Sequence, residues 1–163
     1  MRGRIIMEIR FYNTGDIEND RFDFAVICAS HRGRWIFVRH KDRETWEIPG
    51  GHREENEDIG LTASRELFEE TGALKFELEP VCDYSVSSDT ATTFGRLFYA
   101  NVTETGRLPE SEICETKLSK ELPDKLTYAK IQPLLFGKVL ELLSASLLKF
   151  LERDMVRNIN IIN

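Results

Sequence analysis

A chain of 163 residues, 41% hydrophobic and 31% charged, is long enough to bury one core and too apolar to stay disordered. Its 22 basic and 28 acidic residues leave a net charge of -6. That balance excludes a general binder of nucleic-acid duplexes, which needs a basic surface, but allows one bound phosphate group where a local field opposes the net charge.

The N-terminal MRGRIIMEIRFYNTG carries basic residues with no long apolar run behind them, so no leader peptide is expected. No segment is apolar for long enough to span a membrane, and the expected location is the cytoplasm. Phe22–Ser30 is rich in strand formers, His31-Arg32-Gly33 signals a turn, and Trp35–Arg39 resumes as a strand. Together they predict a β-hairpin. Lys41–Thr45 is a charged loop, and Trp46-Glu47-Ile48 runs into the strong stop Pro49-Gly50-Gly51.

Asp58–Thr71 predicts a helix, with Gly72 placed as a left-handed terminating glycine. Ile59, Ala63 and Leu67, four residues apart, are its expected buried stripe. Strands are predicted over Phe76–Val86 and Thr92–Thr103, a turn over Thr105–Leu108 and a short strand near Thr116–Leu118. A second helix is expected over Gln132–Arg153, with Leu135, Val139, Leu142, Leu143 and Leu147 in the core and Lys138, Glu141, Lys149 and Glu152 on a wet face. The tail Asn158–Asn163 is uninformative. No repeat or linker interrupts residues 1–163, which read as one domain. Cys28, Cys82 and Cys114 form no CxxC pair and no Cys/His cluster, and are expected to be idle thiols in a reducing compartment.

The stretch Gly51–Ala73, GHREENEDIGLTASRELFEETGA, carries the chemistry. Glu66, Glu69 and Glu70 stand at i, i+3 and i+4, on one helix face expected to lie opposite the apolar stripe. Like charges at these spacings repel, and glutamates near a helix C-terminus oppose its dipole. A hard divalent cation relieves both penalties. All-oxygen ligands favour Mg²⁺, with Mn²⁺ as a substitute. Taken alone, three glutamates also describe an ordinary solvated acidic face.

The surrounding residues separate these readings. The stretch resembles the Nudix box, Gx5Ex7REUxEExGU, where U is a bulky aliphatic residue. Gly51, Glu57, Arg65, Glu66, Glu69, Glu70 and Gly72 supply all seven fixed letters, and Leu67 the first U. Ala73 is the one departure, smaller than the usual aliphatic. The WEIPGG lead-in extends the resemblance back to Trp46.

The resemblance implies a mixed α/β (α+β) fold, an α/β/α sandwich with a mixed central β-sheet. It implies that Glu66, Glu69 and Glu70 bind metal, with the Gly50 carbonyl as a further ligand. Glu57 and Arg65 would hold the loop to the helix by ion pairing, Arg65 also steering Glu69, while Gly51 allows close backbone approach and Gly72 ends the helix. A later glutamate often serves as ligand or general base in the family; here Glu112 is favoured, then Glu115. Arg39 is a candidate phosphate contact and Trp46 a candidate to stack on a base. A surface arginine and strand packing are their plain alternatives. His31, His40 and His52 read as solvated loop residues rather than catalysts.

The implied activity is metal-dependent hydrolysis of a nucleoside diphosphate linked to another group, a small-molecule nucleotide. The leading expectation is a nucleoside triphosphate, an oxidised guanine nucleotide included, cleaved to monophosphate and pyrophosphate. Pro80 and Tyr84 stand too close to the box to match the signatures of ADP-ribose or dinucleoside polyphosphate enzymes. The alternatives are a dinucleoside polyphosphate, a nucleotide sugar, an RNA 5′ end, or a module that binds nucleotide without cleaving it.

Overall fold

In the computed structural model, which describes residues 7–162, a seven-stranded mixed sheet lies between two helices. The leader-peptide reading of the first six residues and the end of the 1–163 boundary lie outside the described residues. The strands are β1 (Glu8–Tyr12), β2 (Phe24–His31), β3 (Arg34–His40), β4 (Gly50–His52), β5 (Ala73–Ser87), β6 (Thr92–Thr105) and β7 (Ile113–Ser119). Their spatial order is β1-β5-β6-β2-β3-β7, with β4 against β2. Only the β2–β6 pairing is parallel; the other named strand pairs are antiparallel. Strand β1, in a segment sequence reasoning left without structure, forms one edge.

Alternation along the strands splits the core into two layers. Ala25, Ile27 and Ala29 of β2 and Phe98, Ala100 and Val102 of β6 face helix α1 (Ile59–Thr71), packing on Ile59, Ala63 and Leu67. Cys28 and Leu97 point the other way, to Leu135, Phe136 and Val139 of helix α2 (Gln132–Ile162). This is the expected α/β/α sandwich. Asp58 caps α1 by accepting the Gly60 N–H (2.8 Å), and Gly72 ends it at φ 71°.

The predicted hairpin forms only at its tip. Arg32 (φ 51°) and Gly33 (φ 73°) make a two-residue turn with both angles positive, as a tight hairpin requires. Beyond the pairs Ser30–Trp35 and His31–Arg34 the two strands part like a fork. The segment 47–52 fills the fork. Glu47 exchanges backbone hydrogen bonds with Val38 of β3 (2.9 Å each way), the Pro49 carbonyl accepts from Ile27 of β2 (2.8 Å), and β4 continues along β2 to Phe24. This wedge sets Glu47 and the Gly50-Gly51 pair in the middle of the sheet.

Two expectations of burial are corrected. Leu147 is 59% exposed and Phe150 65%. Leu135, Val139 and Leu143 pack in the layer between α2 and the sheet, whereas Leu147, Leu148, Phe150 and Leu151 of its later turns are all exposed, so Leu147 enters no core layer. His31 is not a solvated loop residue. It is buried at the end of β2, its Nδ1 2.8 Å from the Val102 carbonyl. Cys28 and Cys82 are buried free thiols, and Cys114 is an exposed one. No described helix is long and apolar enough to cross a membrane.

Candidate active site

A cleft of about 680 Å³ opens between the wedge, the C-terminal half of α1 and the start of α2. Glu66, Glu70, Gly50, Gly51, Arg65 and Glu112 of the predicted set line it. Arg39, Trp46, Glu69 and Glu115 do not.

Glu66 and Glu70 do not lie opposite the buried stripe. Residues 63, 66, 67 and 70 are spaced i, i+3, i+4 and i+7, which is a single helix face. The two carboxylates therefore continue the line of Ala63 and Leu67 off the core's edge into the cleft. Glu70 is only 8% exposed. Glu69 falls to one side, its side chain 45% exposed, and reaches Arg65 Nη1 at 3.3 Å.

The glycines make room for this placement. Gly50 donates its N–H to Glu70 Oε2 (2.9 Å). A Cβ on Gly50 would meet the Ala25 carbonyl oxygen at 2.5 Å, so its neighbouring strand leaves no space for a side chain. A Cβ on Gly51 would collide with the Glu66 carboxyl group. The PGG stop thus does more than end a strand: it lets two carboxylates lie against backbone.

Arg65 organises the rest. It donates five hydrogen bonds: two to Glu57 (2.9 Å each), one to Glu66 (2.7 Å), one to Glu69 (3.3 Å) and one to the His52 carbonyl (3.1 Å). Hydrogen bonding to Arg65 holds the Glu57 carboxyl down at about 2. Burial works against Glu66 and Glu70. It raises both, Glu70 to about 8, with the Gly50 N–H opposing the rise and the charges of Glu66, Glu47 and Glu112 adding to it. A buried carboxylate facing other carboxylates suits a cation, and Glu66, Glu70 and the Gly50 carbonyl would offer it oxygens. Among the described residues no three His, Cys, Asp or Glu side chains stand close enough together to form a metal cage.

The remaining predicted residues fall into place by strand register. Arg39 of β3 stands opposite Glu115 of β7, and the two form an ion pair at 2.8 Å. That pair takes both residues out of the cleft. Trp46 packs in the α2-side core, with Lys117 Nζ 5.5 Å from its ring centroid. Glu112 stands free at the cleft's edge, its side chain 89% exposed and 3.7 Å from His40 Nδ1. His52 is exposed against the Phe24 ring.

Sequence reasoning missed His40, Arg43, Glu47 and Tyr128, which also line the cleft. Glu47 is buried, paired with Arg43 and 3.7 Å from His40 Nε2. A signal was present in the lead-in itself: a glutamate alternating between Trp46 and Ile48 faces away from the layer those two enter.

The protein-family model described as NUDIX domain matches residues 20–131. YtkD of Bacillus subtilis (strain 168), a candidate 8-oxo-dGTP diphosphatase, is 32% identical over 108 residues, 64% of this chain and 66% of YtkD. The human protein nucleoside diphosphate-linked moiety X motif 6 is 43% identical over 58 residues, 36% of this chain and 18% of that protein. The chain thus spans less than two-thirds of either relative. Among solved structures, a mutant of the Bacillus subtilis pyrophosphohydrolase BsRppH superposes with a TM-score of 0.70 at 22% identity, over 84% of this chain and 91% of that one. At that identity the likeness is one of fold.

Proposed function

This chain belongs to the Nudix family, and from that premise we propose that it is a divalent-metal-dependent pyrophosphohydrolase whose substrate is a nucleoside triphosphate. The products are the monophosphate and pyrophosphate. The observation that carries the reading is Glu70, a buried carboxylate pinned to the Gly50 N–H beside Glu66 in the wall of a nucleotide-sized cleft. A structural glutamate gains nothing from such a place, because burying an uncompensated charge is costly.

Glu66 and Glu70 would hold the cation, assisted by Glu69 and by the Gly50 carbonyl. When bound, Mg²⁺ or Mn²⁺ supplies charge neutralisation of the diphosphate and a more acidic attacking water. Arg65 keeps the glutamates parted and oriented through its bonds to Glu66 and Glu69, and Glu57 keeps Arg65 in place. Glu112, at the cleft's edge, would accept the proton of the attacking water. Water attacks one phosphorus and the other phosphate leaves, with no covalent enzyme intermediate.

The likeness to YtkD supports an oxidised guanine nucleotide as one such substrate. Side-by-side kcat/KM values for nucleoside triphosphates, 8-oxo-dGTP, ADP-ribose, a nucleotide sugar, a diadenosine polyphosphate and a 5′-triphosphorylated RNA test the reading, with pyrophosphate distinguished from orthophosphate. A triphosphate should lead. A clear preference for ADP-ribose or a dinucleotide overturns the substrate and keeps the chemistry.

A further inference from the structure

Among the described residues three arginines line the cleft: Arg43, Arg53 and Arg65. Two are committed. Arg65 spends five hydrogen bonds on three glutamates and a carbonyl. Arg53 donates to the carbonyls of Asp20, Phe22, Glu54 and Glu57, tying the loop before α1 to the segment before β2. Arg43 makes one side-chain hydrogen bond, to Glu47, and its guanidinium lies 5.9 Å from the Tyr128 ring centroid. A guanidinium has five N–H donors, more than a carboxylate and a phenol can use.

Arg43 is also held at its post. Its N–H donates to the His40 carbonyl (3.1 Å), and its own carbonyl accepts from Arg39 Nη1 (3.1 Å). The Arg39–Glu115 pair across β3 and β7 therefore anchors the loop that carries Arg43 over the rim. A planar donor fork on a fixed loop, backed by a buried carboxylate, suits a phosphate.

We propose that Arg43 binds the terminal phosphate of the substrate and so selects for substrates that carry a further phosphate beyond the two joined by the cleaved bond. Charge balance supports this position; which anion arrives rests on the pyrophosphohydrolase reading. The phosphates beside Glu66 and Glu70 are neutralised by the cation those residues hold. A triphosphate carries further charge beyond them, and Arg43 is the cleft arginine with donors left to meet it. A nucleotide sugar has no charge there and gains nothing from Arg43. Arg39 and Glu47 act as positioning residues.

The test is calorimetric titration of inorganic pyrophosphate, with Mg²⁺, and separately of a nucleoside monophosphate, into wild type, Arg43→Ala and Arg43→Lys. Charge-assisted hydrogen bonds of this kind correspond to about tenfold or more in affinity. Pyrophosphate should bind about tenfold or more weakly to Arg43→Ala, with partial recovery in Arg43→Lys, and the monophosphate should change little. In turnover, Arg43→Ala should raise KM for a triphosphate more than for a nucleotide sugar. Arg43→Gln, which can still bond Glu47, replaces the alanine variant if melting shows that one to be unstable. Unchanged pyrophosphate affinity, an equal loss for both ligands, or no pyrophosphate binding by wild type overturns the assignment. A wild type that binds pyrophosphate through Arg43 yet cleaves none of the nucleotides refutes the hydrolase reading alone.

Discussion

Arg65 grips Glu57 with one edge of its guanidinium, Nε to Oε1 and Nη2 to Oε2, each at 2.9 Å. The residues are eight apart, one in the second turn of α1 and one just before its cap, so the pair clamps the loop to the helix. Glu57 accepts two further bonds, from the Glu54 N–H (3.1 Å) and Thr62 Oγ1 (2.7 Å). Its carboxyl falls from 4.5 to about 2, chiefly through hydrogen bonding to Arg65. A group whose folded pKa is depressed contributes stability that is fully present above its unfolded value and lost as pH falls through the folded one. Glu57→Gln should therefore melt a few degrees below wild type at pH 7, and the gap should close between about pH 4.5 and 2. Melting curves across that range check it; a gap independent of pH would show that the charge is not what matters.

Gly51→Ala should damage activity more than stability. The new Cβ displaces the Glu66 carboxyl, which Arg65 holds from the other side. Turnover should fall by about tenfold or more with the fold intact, since a small misplacement of a working group is costly. Gly72→Ala should do the reverse. Its φ is 71°, and an added Cβ would sit 2.9 Å from the Arg107 carbonyl oxygen. Both make it a stability variant, worth about 1–2 kcal/mol or more. Steady-state kinetics and denaturant melts on both variants separate the two effects.

Glu70→Gln keeps the shape and the Gly50 hydrogen bond and removes a buried negative charge. Activity should drop by about a hundredfold or more, because an anionic metal ligand is gone, while the melting temperature of the metal-free protein holds, because burial already raises Glu70 to about 8 and favours its neutral form. Glu69→Gln should lose activity too, but less, given its exposed side chain. Near-normal turnover in both, in preparations free of wild type, would remove the metal-site assignment.

Chelation should abolish activity, and Mg²⁺ or Mn²⁺ should restore it. Zinc should not be required, because Glu66, Glu69, Glu70 and the Gly50 carbonyl offer oxygens, which suit a hard cation. Full turnover after exhaustive metal removal would refute metal dependence.

The two halves of α2 should respond differently to the same substitution. Leu135→Ala, in the core, should cost about 2–5 kcal/mol, and Leu147→Ala within about 0.5 kcal/mol. A large loss at Leu147 would mean that something covers the outer turns of the helix in solution.

Short-range stereochemistry made much of this protein legible in its sequence. A helix beginning near Asp58, Gly72 as left-handed terminator and the Ile59–Ala63–Leu67 stripe all follow from residues within a few positions of one another, and all recur in the structure. The motif from Gly51 to Gly72 likewise covers a loop and one helix, and the pairing of Arg65 with Glu57 comes from the family resemblance it carries. The facing of Glu66 and Glu70 was also readable there, since it follows from helical spacing alone. What only the tertiary structure decided depends on partners far along the chain. The fork between β2 and β3, and the wedge that fills it, depend on which strands lie beside each of them; β6, some seventy residues on, is one. Arg39 and Arg43 look alike as neighbours of a strand end. A register that sets Glu115 opposite Arg39, 76 residues away, turns the first into an anchor and leaves the second over the cleft. Strand pairing chooses among distant partners, and no local preference encodes that choice.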